Sequence, residues 1–255
     1  MMSTVTFEAS GGLAVITIDR PEVRNAVDRA TADALAAALD ELDARDDVTV
    51  GVLTGAGGSF SAGMDLKAFS ASGERPISES RGSFGICGRP PEKPLIAAVE
   101  GKALGGGFEI ALACDWIVAA VDAAFGLPEV RRGLVAAAGG LVRLPQRIPR
   151  NVAMEMVITG ESIGALRAQA LGLVNAVAES GEALETARVV AEVVAANAPL
   201  AVKTSKQVLR ESALWPDDEL FERQAPIIDA VRNSHDAKEG ARAFVEKRRP
   251  VWQGR

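Results

Sequence analysis

Histidine is nearly absent from this sequence, cysteine is sparse and aromatic residues are few. Each shortage closes off a class of function. There is one histidine in 255 residues, and His235 lies in the polar stretch Asn233-Ser234-His235-Asp236, where an exposed capping role is expected. A histidine-based nucleophilic triad is therefore set aside. Cys87 and Cys114, the two cysteines, form neither a disulfide framework nor a CxxC metal motif and point to a reducing, cytoplasmic setting. Aromatic residues make up 4% of the chain and the net charge is −6, which weighs against the stacking groups and basic face of a nucleic-acid binder. Residues 1–8 carry no basic segment followed by an apolar one, and no uncharged run reaches the roughly 18 residues of a membrane span. Neither export nor membrane insertion is expected.

What remains is an ordinary globular composition, 48% hydrophobic and 24% charged, enough for one large core or a core with a small appendage. The amino-terminal half alternates between strand and helix patterns. Residues 13–19 (LAVITID) read as a strand ended by Arg20-Pro21. From Asp28, a candidate N-cap, Leu35, Leu39 and Leu42 recur with helical spacing. Residues 48–54 form a second apolar strand, so a parallel pair with a helical crossover is predicted. Residues 70–94 show little periodicity and are expected to be a surface segment, mobile or partly helical, that could wall a site. An apolar strand over 95–99 then runs into three glycines and a helix, a short strand follows at 116–119, and 124–129 is expected to be a turn, closing the sheet near residue 130. Beyond Gly139-Gly140 the pattern is helical over 152–159, 165–171, 182–196, 200–212, 218–233 and 237–247.

Two glutamates stand out against this background. Glu109 follows Gly105-Gly106-Gly107-Phe108 and opens a strongly apolar helix; Glu129 closes Phe125-Gly126-Leu127-Pro128-Glu129. A carboxylate in an apolar run is costly to desolvate unless it is paired or used. The turns Ser61-Ala62-Gly63-Met64-Asp65 and Leu104-Gly105-Gly106-Gly107 each lead from a strand into a helix, with backbone N–H groups open to an oxygen ligand. Two such turns can each offer one N–H to a developing oxyanion. Taken singly, a glycine turn is a connection, Glu109 a first-turn residue matched to the helix dipole, and Glu129 a surface turn. Converging at the carboxyl edges of strands, where ligands bind in such sheets, they favour a site.

Together with Arg20-Pro21, Asn25-Ala26, Leu53-Thr54-Gly55 and the segments 60–66, 94–107 (PLIAAVEGKALGGG), 125–133, 154–160, 170–174 and 244–248, these motifs resemble the crotonase, or enoyl-CoA hydratase/isomerase, superfamily over nearly the whole chain. The resemblance implies an α/β fold: a crotonase-like ββα spiral core over residues 1–195 carrying the active site, with a C-terminal helical layer over 196–255 that mediates trimerisation. It implies an acyl-CoA thioester substrate, a homotrimer or dimer of trimers, and no metal, nucleophile or redox cofactor, coenzyme A being part of the substrate. Met64 and Gly106 would supply the oxyanion-hole N–H groups. Glu109 would act as base on water and Glu129 as acid toward Cα of a 2-enoyl thioester. Main-chain atoms near Val23, Ala62, Asp65 and Leu66 would meet the adenine and pantetheine, while Arg24, Lys67 and the tail's Lys247 or Arg248 would meet the phosphates. Leu127 stands where many hydratases carry glutamine, residues 135–140 depart from the common PGAGG pattern, and the segments 125–129 and 244–255 also resemble carnitinyl-CoA dehydratases. An isomerase usually keeps only the equivalent of Glu129, and an RNA-binding relative would need a basic face with stacking groups, against which the net charge of −6 and the 4% aromatic content weigh.

Overall fold

The computed structural model describes residues 4–255. The chain opens with β1 (Val5–Ser10), which turns through Gly11-Gly12 into β2 (Leu13–Ile18) and pairs with it antiparallel, Val5 opposite Ile18 and Ser10 opposite Leu13. Sequence pattern predicts only the second of these strands. Asp28 caps α1 (Arg29–Ala44) by accepting the Thr31 N–H at 2.8 Å, and Leu35, Leu39 and Leu42 form its buried stripe as their spacing requires. β3 (Val50–Gly55) returns parallel to β2.

The segment after α2 (Leu66–Ser72) corrects the expectation of a mobile or partly helical surface segment. It forms a two-residue-per-strand hairpin, β4 (Ile77–Ser78) and β5 (Gly82–Ser83), and buries Arg81, Phe84, Ile86 and Cys87. Arg81 is 1% exposed because its guanidinium pairs with Asp40 at 2.8 Å and Asp43 at 2.7 Å on α1 and donates to the Arg89 carbonyl. A fully paired charge can be buried, and residue type alone misplaces it at the surface.

β6 (Leu95–Val99), β7 (Lys102–Leu104), α3 (Gly106–Ala113), β8 (Trp116–Ala120) and β9 (Ala124–Gly126) follow. The predicted turn over 124–129 is thus a strand running into a 3-10 turn, Pro128–Arg132. The sheet does not close near residue 130. After α4 (Gly140–Arg147), which the sequence pattern does not predict, and α5 (Arg150–Thr159), β10 (Ser162–Gly164) pairs with β9; after α6 (Ala165–Ala170), β11 (Ala176–Ala178) pairs with β8. Strands this short carry too few residues for period-two alternation to register.

The six-stranded sheet has the order β1-β2-β3-β6-β8-β11, parallel except for the first hairpin. Its parallel strands are covered on both faces, hence the unbroken apolar runs in β3 and β6. Ile16, Ile18 and Leu53 pack on the side of Leu35 and Leu39, whereas Val50, Val52, Ile96 and Val118 pack on α7 (Ala183–Ala195) through Ala187 and Ala191. The second sheet, ordered β10-β9-β7, positions the site.

The carboxyl end is a helical layer of α8 (Pro199–Ser212), α9 (Leu220–Arg232) and α10 (His235–Glu246). His235 is exposed as expected, but the cap of α10 is Ser234, whose hydroxyl accepts the Ala237 N–H. The tail folds back: Asp236 accepts the N–H groups of Gln253 and Gly254, and Glu239 accepts that of Val251 and pairs with Arg248 at 2.6 Å. These partners hold Glu239 well below the usual carboxylate range, at about 2, the Arg248 bond being the largest cause. Arg248 also pairs with Glu246, so that guanidinium sits between two carboxylates.

Candidate active site

Three backbone segments leave one edge side by side. β7 and β9 are parallel with Leu104 opposite Gly126, and the Gly105 N–H donates to the Gly126 carbonyl at 2.9 Å. On the other side of β7, Ser61 bridges Ala103 in parallel. Equal exits from parallel strands bring together elements far apart in sequence: the Met64 turn, the Gly106 turn with Glu109 on α3, and Glu129 on the 3-10 turn. A Cβ placed on Gly63 would lie 2.7 Å from the Gly106 nitrogen, and one on Gly107 would lie 2.0 Å from the Ser61 carbonyl oxygen. Only glycine lets the two turns touch. Among the described residues neither the Met64 nor the Gly106 N–H is donated to another group, as expected of a first-turn amide at Gly106.

A zipper of main-chain bonds fixes the Met64 turn. The Ala62 N–H donates to the Arg24 carbonyl, the Val27 N–H to Gly63, and the Asp65 N–H to Val27. The Ser61 hydroxyl donates to the Asn25 carbonyl and accepts the Gly63 N–H. Asn25 is fully buried; its side chain accepts from the Arg20 N–H and donates to the carbonyls of Ala56 and Ser59. Val23, Arg24, Ala62, Asp65 and Leu66 are thereby gathered at one place. The Asp65 carboxylate is committed to capping α2 through the Ala68 and Lys67 N–H groups and to pairing with Arg20 at 3.1 Å; these interactions, the Ala68 bond foremost, hold it below the ordinary value. Arg24 and Lys67 are exposed, and neither has an ion-pair partner among the described residues.

The two glutamates meet different surroundings. Glu109, 3% exposed, accepts at Oε1 the N–H groups of Ala138 at 2.7 Å and Gly140 at 2.9 Å, so its carboxylate sits on the amino end of α4. Glu129 has a buried Oε2 with no hydrogen-bond partner. Burial raises the Glu109 pKa, while Gly140, Ala138 and Arg143 pull it down, leaving it above the usual value. For Glu129, burial is again the main upward cause; its own backbone N–H opposes it and the nearby Glu109 charge adds to it. Burial favours the acid form of both; three influences oppose it at Glu109, and two, its own backbone N–H and Arg132, at Glu129. Arg147 of α4 donates to the carbonyls of Leu112 and Cys114 at the other end of α3.

Sequence reasoning missed Ala138, Gly140, Arg143 and Phe84 as parts of this site. The Gly139-Gly140 pair ahead of an apolar segment was the available signal of a helix start.

The two sheets, the touching glycine turns and the two glutamates beside them define a crotonase-fold protein. A model of the enoyl-CoA hydratase/isomerase family matches residues 8–255, and the chain belongs to that family. The crystal structure of enoyl-CoA hydratase from Mycobacterium tuberculosis H37Rv superposes with a TM-score of 0.97 at 53% identity, covering 99% of this chain and 100% of that one. Carnitinyl-CoA hydratase from Mycobacterium avium superposes with a TM-score of 0.80 at 44% identity over 100% of both chains. A carnitinyl-CoA dehydratase of Salmonella enteritidis is 41% identical over 266 aligned residues, the full length of both proteins. No helix among the described residues is long and apolar enough to cross a membrane.

Proposed function

We propose that this protein is an enoyl-CoA hydratase that adds water reversibly and syn across the double bond of a 2-enoyl-CoA. The observation that carries the reading is the contrast between Glu109, held by two amide N–H groups, and Glu129, with an unpartnered buried oxygen, at the same edge as the free N–H groups of Met64 and Gly106. Glu109 takes a proton from water as its oxygen bonds to Cβ. The electron pair of the double bond moves toward the thioester carbonyl, whose oxygen is held by Met64 and Gly106; each such donor contributes about 3–4 kcal/mol to the transition state. Glu129 gives its proton to Cα, and the pair is reset when a proton returns from Glu109 to Glu129. The coenzyme A portion lies along Val23, Arg24, Ala62, Asp65 and Leu66, with Arg24 and Lys67 toward its phosphates.

Exposed apolar side chains on the carboxyl helices, among them Leu209, Phe221 and Phe244, support burial of residues 196–255 in a homotrimer or hexamer of a cytoplasmic enzyme. The carnitinyl-CoA relatives favour a second reading, dehydration of a 3-hydroxyacyl-CoA of that type, which runs the same proton transfers backward. A panel of straight-chain 2-enoyl-CoAs and carnitinyl-CoA tests both. Gain of one water with loss of the conjugated thioester absorbance supports hydration, preferential turnover of carnitinyl-CoA supports the second reading, and double-bond migration without water gain contradicts both.

A further inference from the structure

We propose that Arg143 is a positioning residue for the general base: it holds the 136–140 loop so that the Ala138 and Gly140 N–H groups stay on the Glu109 carboxylate. This rests on the assignment of Glu109 as the base. Arg143 lies one turn into α4 and is half-buried. One of its amino groups donates to the Ala138 carbonyl at 3.3 Å and the other to the Cys87 carbonyl at 2.7 Å. Ala138 thus receives Arg143 on its carbonyl side and gives its N–H to Glu109 on the other. The guanidinium also lies against Gly139, where a Cβ would fall 2.2 Å from Nη1 at a φ of 114°. Among the described residues Arg143 has no carboxylate partner in an ion pair; its bonds go to carbonyls, and its charge bears on Glu109.

The Cys87 contact extends the brace. The 82–88 segment carries Phe84, whose ring abuts Gly106, so one guanidinium ties the cradle of the base to the segment behind the oxyanion turn. The titratable groups coupled to Glu109 are Glu129 from the 3-10 turn, itself acted on by Arg132, Cys87 from the 82–88 segment, whose thiol is pushed up by burial and then by the Glu109 charge, and Arg143. Of these, Arg143 is the cation that favours ionised Glu109. A side chain that merely stabilised the fold would alter melting and leave the titration of Glu109 in place.

The test follows the glutamate carboxyl resonances of protein labelled with carbon-13 glutamate, using Glu109→Gln to assign the Glu109 signal, in wild type, Arg143→Ala and Arg143→Lys. The expected result is a Glu109 titration at higher pH in Arg143→Ala and an intermediate one in Arg143→Lys, which keeps the charge but cannot span two carbonyls. In kinetics with a 2-enoyl-CoA, kcat falls about tenfold to a hundredfold in Arg143→Ala with KM little changed, since misplacement of a reacting group by ~1 Å can cost ~100-fold. A Glu109 titration that coincides with wild type in a folded Arg143→Ala or Arg143→Lys overturns the inference, even where hydration depends on both glutamates. A shifted titration in a protein that hydrates no thioester leaves Arg143 as the brace and removes the hydratase reading.

Discussion

Glu109 and Glu129 leave neighbouring parallel strands in register, Leu104 opposite Gly126, yet one carboxylate is bound by two amide N–H groups and the other keeps a buried oxygen without a partner. An acid and a base made from one residue type require such unequal surroundings.

A bell-shaped pH dependence of kcat/KM follows. Glu109 must be ionised, so activity falls on the acid side through its raised pKa; Glu129 must be protonated, so activity falls on the alkaline side through its own. Both apparent values belong to the pair. Pre-steady-state or steady-state profiles should place both limbs above the ordinary carboxylate range, and a flat profile across that region would refute the assignment.

Glu129→Gln should stabilise the fold while cutting hydration by about 100-fold to 10,000-fold. A carboxyl group whose folded pKa is raised contributes stability that is fully present below the unfolded value, about 4.3, and lost as pH rises through the folded value. Removing the charge therefore gains stability near neutrality, about 1 kcal/mol or roughly 2–4 °C in Tm for a chain of this length. Calorimetry should show the advantage narrowing as the pH approaches that of the unfolded carboxyl.

Gly106→Ala places a methyl 2.1 Å from Cζ of Phe84 and should reduce kcat by on the order of 100-fold. Adding Phe84→Leu should recover part of the loss. A double-mutant cycle in urea should return a coupling of about 0.5–3 kcal/mol; additive effects would place the ring elsewhere.

Asn25→Ala should cost about 3 kcal/mol, because it leaves the Arg20 N–H and two carbonyls without their buried partner. Asn25→Asp should cost a similar amount, since a carboxylate cannot donate to Ala56 and Ser59. Urea unfolding of the two variants gives the comparison, and a harmless Asn25→Asp would refute the donor role.

Arg81→Ala should cost about 2 kcal/mol by removing a buried guanidinium that ties the hairpin to α1, while Asp40 keeps Arg89 and Asp43 keeps the Glu92 and Lys93 N–H groups. Arg29→Ala, which breaks the exposed Arg29–Asp33 pair, should cost below about 1 kcal/mol. Thermal melts in low and high salt separate them, the exposed pair alone being salt-sensitive.

Much of this site was legible in the sequence because its chemistry is local. Gly105-Gly106-Gly107 before an apolar helix, the Met64 turn and the two glutamates are short motifs that point to a site when taken together, and α1 and β3 carry regular patterns. What the sequence hid depends on distant partners. β10 and β11 are three residues each and are strands only because β9 and β8 complete them. Arg81 reads as surface until Asp40 and Asp43 arrive from α1. Arg143 reads as a solvated arginine until the Ala138 and Cys87 carbonyls meet it. The pairing of Glu239 with Arg248 likewise shows only when the tail folds back onto α10.

The most direct test of the central claim is the rate of water addition to one 2-enoyl-CoA by wild type, Glu109→Gln and Glu129→Gln, each shown by circular dichroism to be folded. The account predicts that wild type turns over and that each variant loses about 100-fold to 10,000-fold in kcat. A folded variant that hydrates the thioester at close to the wild-type rate would contradict it.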